Sequence, residues 1–224
     1  MILKKICIVG TYQTGSTRLF NLVRMIYEKN GKKVYSRFKI PPEKINKIGN
    51  EYDIILCKIH DTKWCDDKNY LQNYDIILLP IRNILDSAIS AGIRGRNTST
   101  KFYINNCNIN IDMFNKFVSI ADFIFRYENY NVYNIKKVCA ILNINLDNNE
   151  IIDIMIQLES MLNSKEIVKK DDHRDAEYHK TLFSQEHNTS NGKTNKFINL
   201  PKKQLDDILK EKNILTFLEE HFYF

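Results

Sequence analysis

Lys4-Lys5-Ile6-Cys7-Ile8-Val9-Gly10-Thr11-Tyr12-Gln13-Thr14-Gly15-Ser16-Thr17-Arg18 is the stretch from which the fold is read. Ile6 to Val9 is a short apolar run, β-branched at three of its four positions, and it stops at Gly10. Such a run marks a strand buried on both faces, as in parallel sheets. From Leu19 the period changes: Leu19, Leu22, Val23, Ile26 and Tyr27 share one helical face. A strand therefore feeds a helix through a turn of small polar residues with glycine at both ends. That turn aims backbone N–H groups and the positive end of the helix dipole at one point, a seat for a phosphate-like anion. A Walker A loop requires Gly-x-x-x-x-Gly-Lys-Ser/Thr. Gly10 and Gly15 keep the spacing, but Ser16 stands in the lysine position, which argues against an ordinary ATPase or kinase.

The 224 residues suit one domain, 1–224, and a hydrophobic content of 43% supports a real core. A net charge of +6 fits an anionic ligand and gives no ground for a nucleic-acid polymer as partner. The five cysteines, Cys7, Cys57, Cys65, Cys107 and Cys139, are scattered, and no pair has zinc-ligand spacing. That usage points to a reducing compartment. The N-terminus carries no secretory h-region, and no segment approaches the roughly eighteen apolar residues of a membrane span. A cytoplasmic protein is expected.

Further strands are read at Lys32–Phe38, Tyr52–Ile59, Tyr74–Ile81 and Phe123–Glu128. Between them the pattern predicts a short helix at Pro42–Ile48 and a helix capped by Asn83 that contains Leu85, Ala88, Ile89 and Ile93. The polar tract Asn105–Asn110 reads as a loop, and Asp112 as the cap of a helix reaching about Ala121. Helices follow at Val132–Leu142, Asn148–Leu162 and roughly Lys202–Leu218. Lys165–Asn199 is polar without apolar periodicity and reads as a mobile lid or loop. Alternating strands and helices predict an α/β domain with a central parallel sheet flanked by helices, a three-layer sandwich of the P-loop NTPase kind. Ligands bind beyond the carboxyl ends of such strands. Gly10–Thr17, Lys58–His60 and Arg82–Ser90 all leave strands at that edge.

Taken together in this order, the segments resemble the sulfotransferases that use 3′-phosphoadenosine 5′-phosphosulfate (PAPS). Gln13-Thr14-Gly15-Ser16-Thr17 is similar to that family's 5′-phosphosulfate loop, in which Gly-Ser/Thr-Thr replaces Gly-Lys-Ser/Thr. Lys58-Ile59-His60 resembles the Lys-Thr-His at a strand end of cytosolic members, where the histidine is the catalytic base. Arg82, with Ser90 eight positions on, resembles the 3′-phosphate site. Arg126-Tyr127-Glu128-Asn129-Tyr130 resembles the Tyr-Glu-Asp-Leu segment, and the helix after it ends in Ile141-Leu142-Asn143, similar to the family's Phe-Leu-Gly turn. Thr189 to Lys196 is similar to the C-terminal glycine-rich loop that closes over the nucleotide, with Asn191, Gly192 and Lys193 as its contacts. The chain departs from the pattern at Gln13, where the family usually has Lys or Arg, and at Asn195, where it often has Trp. Arg18, one turn into the helix, or Lys58 is the cation expected to serve in place of the first.

The resemblance implies sulfuryl transfer from PAPS to a hydroxyl or amine of a small-molecule, carbohydrate or peptide acceptor, with no metal. Thr14, Gly15, Ser16 and Thr17 would hold the phosphosulfate, and Arg82 with Ser90 the 3′-phosphate. Histidine, with an ordinary pKa of about 6.5, accepts protons near neutrality, which suits His60 as base. Lys58, two residues earlier on an extended chain, shares its side. Two alternatives stay open: a P-loop kinase or nucleotide hydrolase with an atypical loop, and a non-catalytic nucleotide-binding module. His173, His179 and His187 with their neighbouring acids have no metal-ligand spacing. The aromatic group Phe114, Phe117, Phe123, Phe125 and Tyr127 reads as core rather than a stacking platform. Trp64 reads as packing or as a border of the acceptor pocket.

Overall fold

The structure is a computed structural model that describes residues 3–11, 13–49, 51–60, 68–163, 182 and 194–222. Its strands are β1 (Lys4–Val9), β2 (Val34–Phe38), β3 (Ile54–Ile59), β4 (Ile76–Ile81) and β5 (Phe123–Arg126). They form one sheet in the order β2-β3-β1-β4-β5, and every pairing is parallel. β1 lies between β3 and β4, with Ile6 opposite Leu56 on one side and Ile76 on the other. This explains its continuous apolar run: a strand with neighbours on both edges and helices on both faces has no solvent side.

Alternate residues feed two cores. Ile6, Ile8, Leu56 and Leu78 pack with Leu19, Leu22, Val23 and Ile26 of α1 (Ser16–Lys29). The same layer holds α6 (Val132–Leu142) and α7 (Asn148–Asn163), through Ile135, Val138, Ile151 and Ile154. Cys7, Val9, Cys57, Ile59 and Leu79 point to the other face. There they meet α4 (Ile84–Gly95), α5 (Thr100–Phe117), α8 (Lys202–Leu209) and α9 (Lys212–Phe222). Short helices α2 (Pro42–Ile45) and α3 (Lys68–Leu71) precede β3 and β4. The three-layer α/β sandwich is the one expected. Strand order reverses beside β1, because the chain runs out to the edge strand β2, returns to β3 and then crosses over to β4 on the other side of β1. That reversal opens a crevice at the carboxyl ends of β1, β3 and β4.

The sequence reading fails in one stretch. Asn105–Asn110 is not a loop, and Asp112 caps nothing: both lie inside α5. The helix starts at Ser99, whose Oγ accepts from the Phe102 N–H at 3.3 Å. Its asparagines bond back along the helix, Asn106 Nδ2 to the Phe102 carbonyl at 2.9 Å and Asn110 Nδ2 to the Asn106 carbonyl at 2.8 Å. They therefore carry no unmet polar groups, and Tyr103, Cys107, Ile111 and Phe114 supply the buried stripe. Two smaller differences follow. The last strand ends at Arg126 in a 3-10 turn, Tyr127–Asn129, and the final helix is two, α8 and α9, broken at Lys210 and Glu211. Most of the segment 165–199 lies outside the described residues, as do Trp64, Cys65, His173, His179 and His187. Its last residues, Lys196–Asn199, form a 3-10 turn.

Ser99→Ala removes the cap of α5 and should cost about 1 kcal/mol of stability in urea denaturation, with Ser99→Asp restoring it. An unchanged urea midpoint for the alanine variant would contradict this helix start.

Candidate functional site

The turn after β1 is shaped by two close approaches. A Cβ on Gly10 would lie 2.9 Å from Pro80 Cγ of β4. A Cβ on Gly15 would lie 2.2 Å from Tyr127 Cδ2, and Gly15 holds φ at +84°. Only glycine fits both demands at position 15. Gly15 caps α1 without a side-chain bond, and the first turn holds no acidic residue. The leading N–H groups of α1 thus face the crevice edge with their dipole uncompensated by a carboxylate of that turn. Gln13 is also left-handed, at φ +66°. That conformation directs its carbonyl to Arg82 Nη1, at 3.4 Å, and to Ser87 Oγ, at 3.3 Å. Thr14 Oγ1 donates to the Thr11 carbonyl at 2.9 Å, tightening the turn.

Lys58 and His60 leave β3 beside this turn. Lys58 is 4% exposed, and its Nζ donates to Thr17 Oγ1 in the first turn of α1. His60 Nδ1 lies 2.5 Å from the Gly10 carbonyl. A carbonyl only accepts, so Nδ1 carries the hydrogen, and in the neutral ring Nε2 holds the lone pair. Phe38 adjoins both residues: its ring centre is 5.6 Å from the His60 ring and 5.9 Å from Lys58 Nζ. Of the two cations expected to replace the one missing at Gln13, Lys58 is the one bonded to the turn's own residues. Arg18 is turned to α7, where it pairs with Glu159, and its guanidinium lies 3.6 Å from the Tyr130 ring centre.

Arg82 and Ser90 are brought together as well. Asn83 starts α4 by accepting from the Leu85 and Asp86 N–H groups at 3.0 and 3.4 Å. Arg82 is 4% exposed and stacks on Tyr127, 4.6 Å from its centre. Besides the Gln13 carbonyl, Arg82 Nη1 reaches Ser90 Oγ at 3.4 Å. Glu128 accepts from the Asn83 N–H at 2.8 Å. Burial raises its pKa, against the opposing pull of that bond and of Arg82.

Two contributors escape the sequence reading. Tyr127 is buried, as a core residue would be, but its ring is the surface on which Gly15 and Arg82 rest. Lys196 sends Nζ to Ser90 Oγ at 2.9 Å. Its signal in the sequence is position alone, at the end of the glycine-rich segment. Asn191, Gly192 and Lys193 lie outside the described residues. Among the described residues no group of three His, Cys, Asp or Glu side chains is arranged to hold a metal ion.

Burial holds the Lys58 ammonium down to about 7, and the Arg94 charge adds to the effect. The unfolded chain keeps lysine protonated to about 10.4. Between those values the unfolded state binds one proton more than the native state, so stability rises with pH there. Measured against Lys58→Met, the wild type should therefore gain stability from about pH 7 to about pH 9 in urea denaturation. Parallel pH profiles for the two proteins would contradict a Lys58 that loses its proton so readily.

No protein-family model matches the sequence, and a comparison with curated proteins gives no match. Solved structures do match. Mouse sulfotransferase SULT7A1 complexed with PAP superposes with a TM-score of 0.67 at 14% identity, covering 97% of this chain and 89% of that one. Retinol dehydratase in a complex with retinol and PAP gives 0.59 at 13% identity, covering 98% and 83%. At this identity the likeness carries the fold alone, and the fold of this chain is that of these two PAP-bound structures.

Proposed function

We propose that the protein is a sulfotransferase that moves the sulfuryl group of PAPS to a hydroxyl or amine acceptor. One observation carries the reading: Arg82 joins two anion seats, bonding the carbonyl of the glycine turn with the same nitrogen that reaches Ser90. A nucleotide with phosphates at both its 5′ and 3′ positions has that pair of charges. A kinase with a displaced lysine needs no second seat.

The residues divide the chemistry as follows. The N–H groups of the Gly15–Thr17 turn, with the Ser16 and Thr17 hydroxyls, hold the 5′-phosphosulfate. The guanidinium of Arg82 offers a fixed fork of donors to the 3′-phosphate. His60 takes the acceptor proton on Nε2 as the acceptor oxygen attacks sulfur in line. The new S–O bond forms as the S–O bond to the phosphate breaks, and charge builds on the departing phosphate oxygen. Lys58 Nζ and the turn's N–H groups stabilise that charge. A bound dianion favours the protonated form of Lys58, so nucleotide binding takes up a proton above about pH 7 and weakens as pH rises. Cys7, Cys57, Cys107 and Cys139 are joined in no disulfide among the described residues, which fits a reducing, cytoplasmic setting. Among the described residues no helix is long and apolar enough to cross a membrane.

Adenosine 3′,5′-bisphosphate at a hundredfold excess over its dissociation constant should stabilise the protein by about 2.7 kcal/mol in thermal unfolding. Arg82→Ala should abolish that shift. A shift with ATP and Mg²⁺ alone would overturn the reading in favour of a kinase. His60→Ala should keep bisphosphate affinity while cutting sulfuryl transfer to a panel of phenol, sugar and peptide acceptors by about 10²- to 10⁴-fold. Undiminished transfer would remove His60 from the role of base.

A further inference from the structure

We propose that Asn110 is a positioning residue for the glycine turn. From α5, behind the turn, it fixes Thr11 and with it the direction of the donors that meet the 5′-phosphosulfate. The inference rests on the nucleotide reading above.

Asn110 is a buried polar residue within the apolar stripe of α5 that Tyr103, Cys107, Ile111 and Phe114 form. Burying an amide is costly unless its groups are bonded. Its Nδ2 donates to the Asn106 carbonyl at 2.8 Å. A carbonyl only accepts, so this bond settles which end of the amide is which, and Oδ1 is the end that faces Thr11. There it accepts from Thr11 Oγ1, a contact between residues 99 positions apart. Thr11 is buried as well. Its hydroxyl hydrogen is spent on Asn110, and its carbonyl accepts from Thr14 Oγ1 at 2.9 Å. Two bonds in series therefore run from α5 to the residue before Gly15.

Other carbonyls of the turn are held in the same way. Gly10 accepts from His60 Nδ1 at 2.5 Å, and Gln13 from Ser87 Oγ at 3.3 Å and Arg82 Nη1 at 3.4 Å. In a trans peptide the carbonyl and the next N–H point opposite ways. A carbonyl anchored inside the protein thus fixes the N–H that follows it. With Gly10, Thr11 and Gln13 all anchored, the turn is oriented before any anion arrives. This chain depends on that more than a Walker A loop does. No lysine follows Gly15 to draw the ligand in, so attraction rests on how well the N–H groups are aimed. Gln13 sits at φ +66°, a left-handed conformation uncommon for a residue with a Cβ. A turn that the ligand itself had to order would give up affinity for that ordering. His60 and Arg82 have ligand roles of their own, and Ser87 shares its acceptor with Arg82. Asn110 acts through Thr11, which makes its contribution separable.

Isothermal titration calorimetry with adenosine 3′,5′-bisphosphate and with adenosine 3′-monophosphate tests the inference, because the second ligand lacks the 5′-phosphate that the turn holds. Wild type should prefer the bisphosphate. Thr11→Val and Asn110→Leu should each weaken the bisphosphate by about tenfold and the monophosphate by less than about twofold, as expected for misaligned charge-assisted bonds. Thr11→Ser keeps the hydroxyl and should restore wild-type affinity. The double variant Thr11→Val/Asn110→Leu removes donor and acceptor together. It should recover thermal stability lost in the single variants while still binding the bisphosphate about tenfold more weakly than wild type. A bisphosphate affinity that returns with stability in the double variant, or an equal loss for both ligands, makes the contact merely structural and overturns the inference. Should Asn110→Leu fail to fold, Thr11→Val against Thr11→Ser decides alone. A wild-type preference undiminished in Thr11→Val overturns the inference and leaves the nucleotide reading standing. A wild type that binds both ligands equally overturns both.

Discussion

The ring of Tyr127 is the fixed point of the site. Gly15 passes so close to it that a Cβ would overlap the ring, and Arg82 stacks on it 4.6 Å from its centre. Arg18 lies 5.4 Å from the same centre. The ring sits in the 3-10 turn after β5, at the sheet's edge, whereas the glycine turn follows central β1. Contact between the two explains why the turn takes a left-handed step at Gly15, and why the guanidinium of Arg82 is flat against an aromatic face while its end reaches Gln13 and Ser90. Stacking leaves the in-plane donors of an arginine directed sideways, which is the arrangement that phosphate recognition requires.

Charge is distributed unlike that of a nucleoside triphosphatase. No lysine follows Gly15. Arg18 has its charge offset by Glu159, and burial brings the Lys58 ammonium down to about 7. The positive character of the glycine turn therefore comes largely from backbone N–H groups and the α1 dipole. Two side-chain cations, Arg82 and Lys196, meet at Ser90 on the other side of the crevice. This asymmetry fits a ligand whose distinguishing group is bound by cations, while its reacting end is held by a neutral cradle and one lysine able to gain a proton.

The parallel sheet, the glycine turn and the strand-end positions of Lys58, His60 and Arg82 were legible because each depends on local pattern: an apolar run closed by a polar residue. Helix α5 was not legible, because Asn105, Asn106, Asn108 and Asn110 mask its apolar stripe, and their bonds along the helix cannot be read from composition. Lys196 was missed for a different reason: it lies 106 positions from Ser90, and nothing local in the sequence marks their contact. Tyr127 was assigned to the core on its aromatic neighbours, and burial agrees, but nothing in the sequence tells that its ring faces a glycine rather than another side chain.

A crystal structure of the protein with adenosine 3′,5′-bisphosphate tests the central claim most directly. The account predicts the 5′-phosphate on the N–H groups of the Gly15–Thr17 turn and the 3′-phosphate within hydrogen-bond reach of Arg82 and Ser90. A nucleotide bound with its 3′-phosphate away from Arg82, or seated outside the crevice at the ends of β1 and β4, would contradict it.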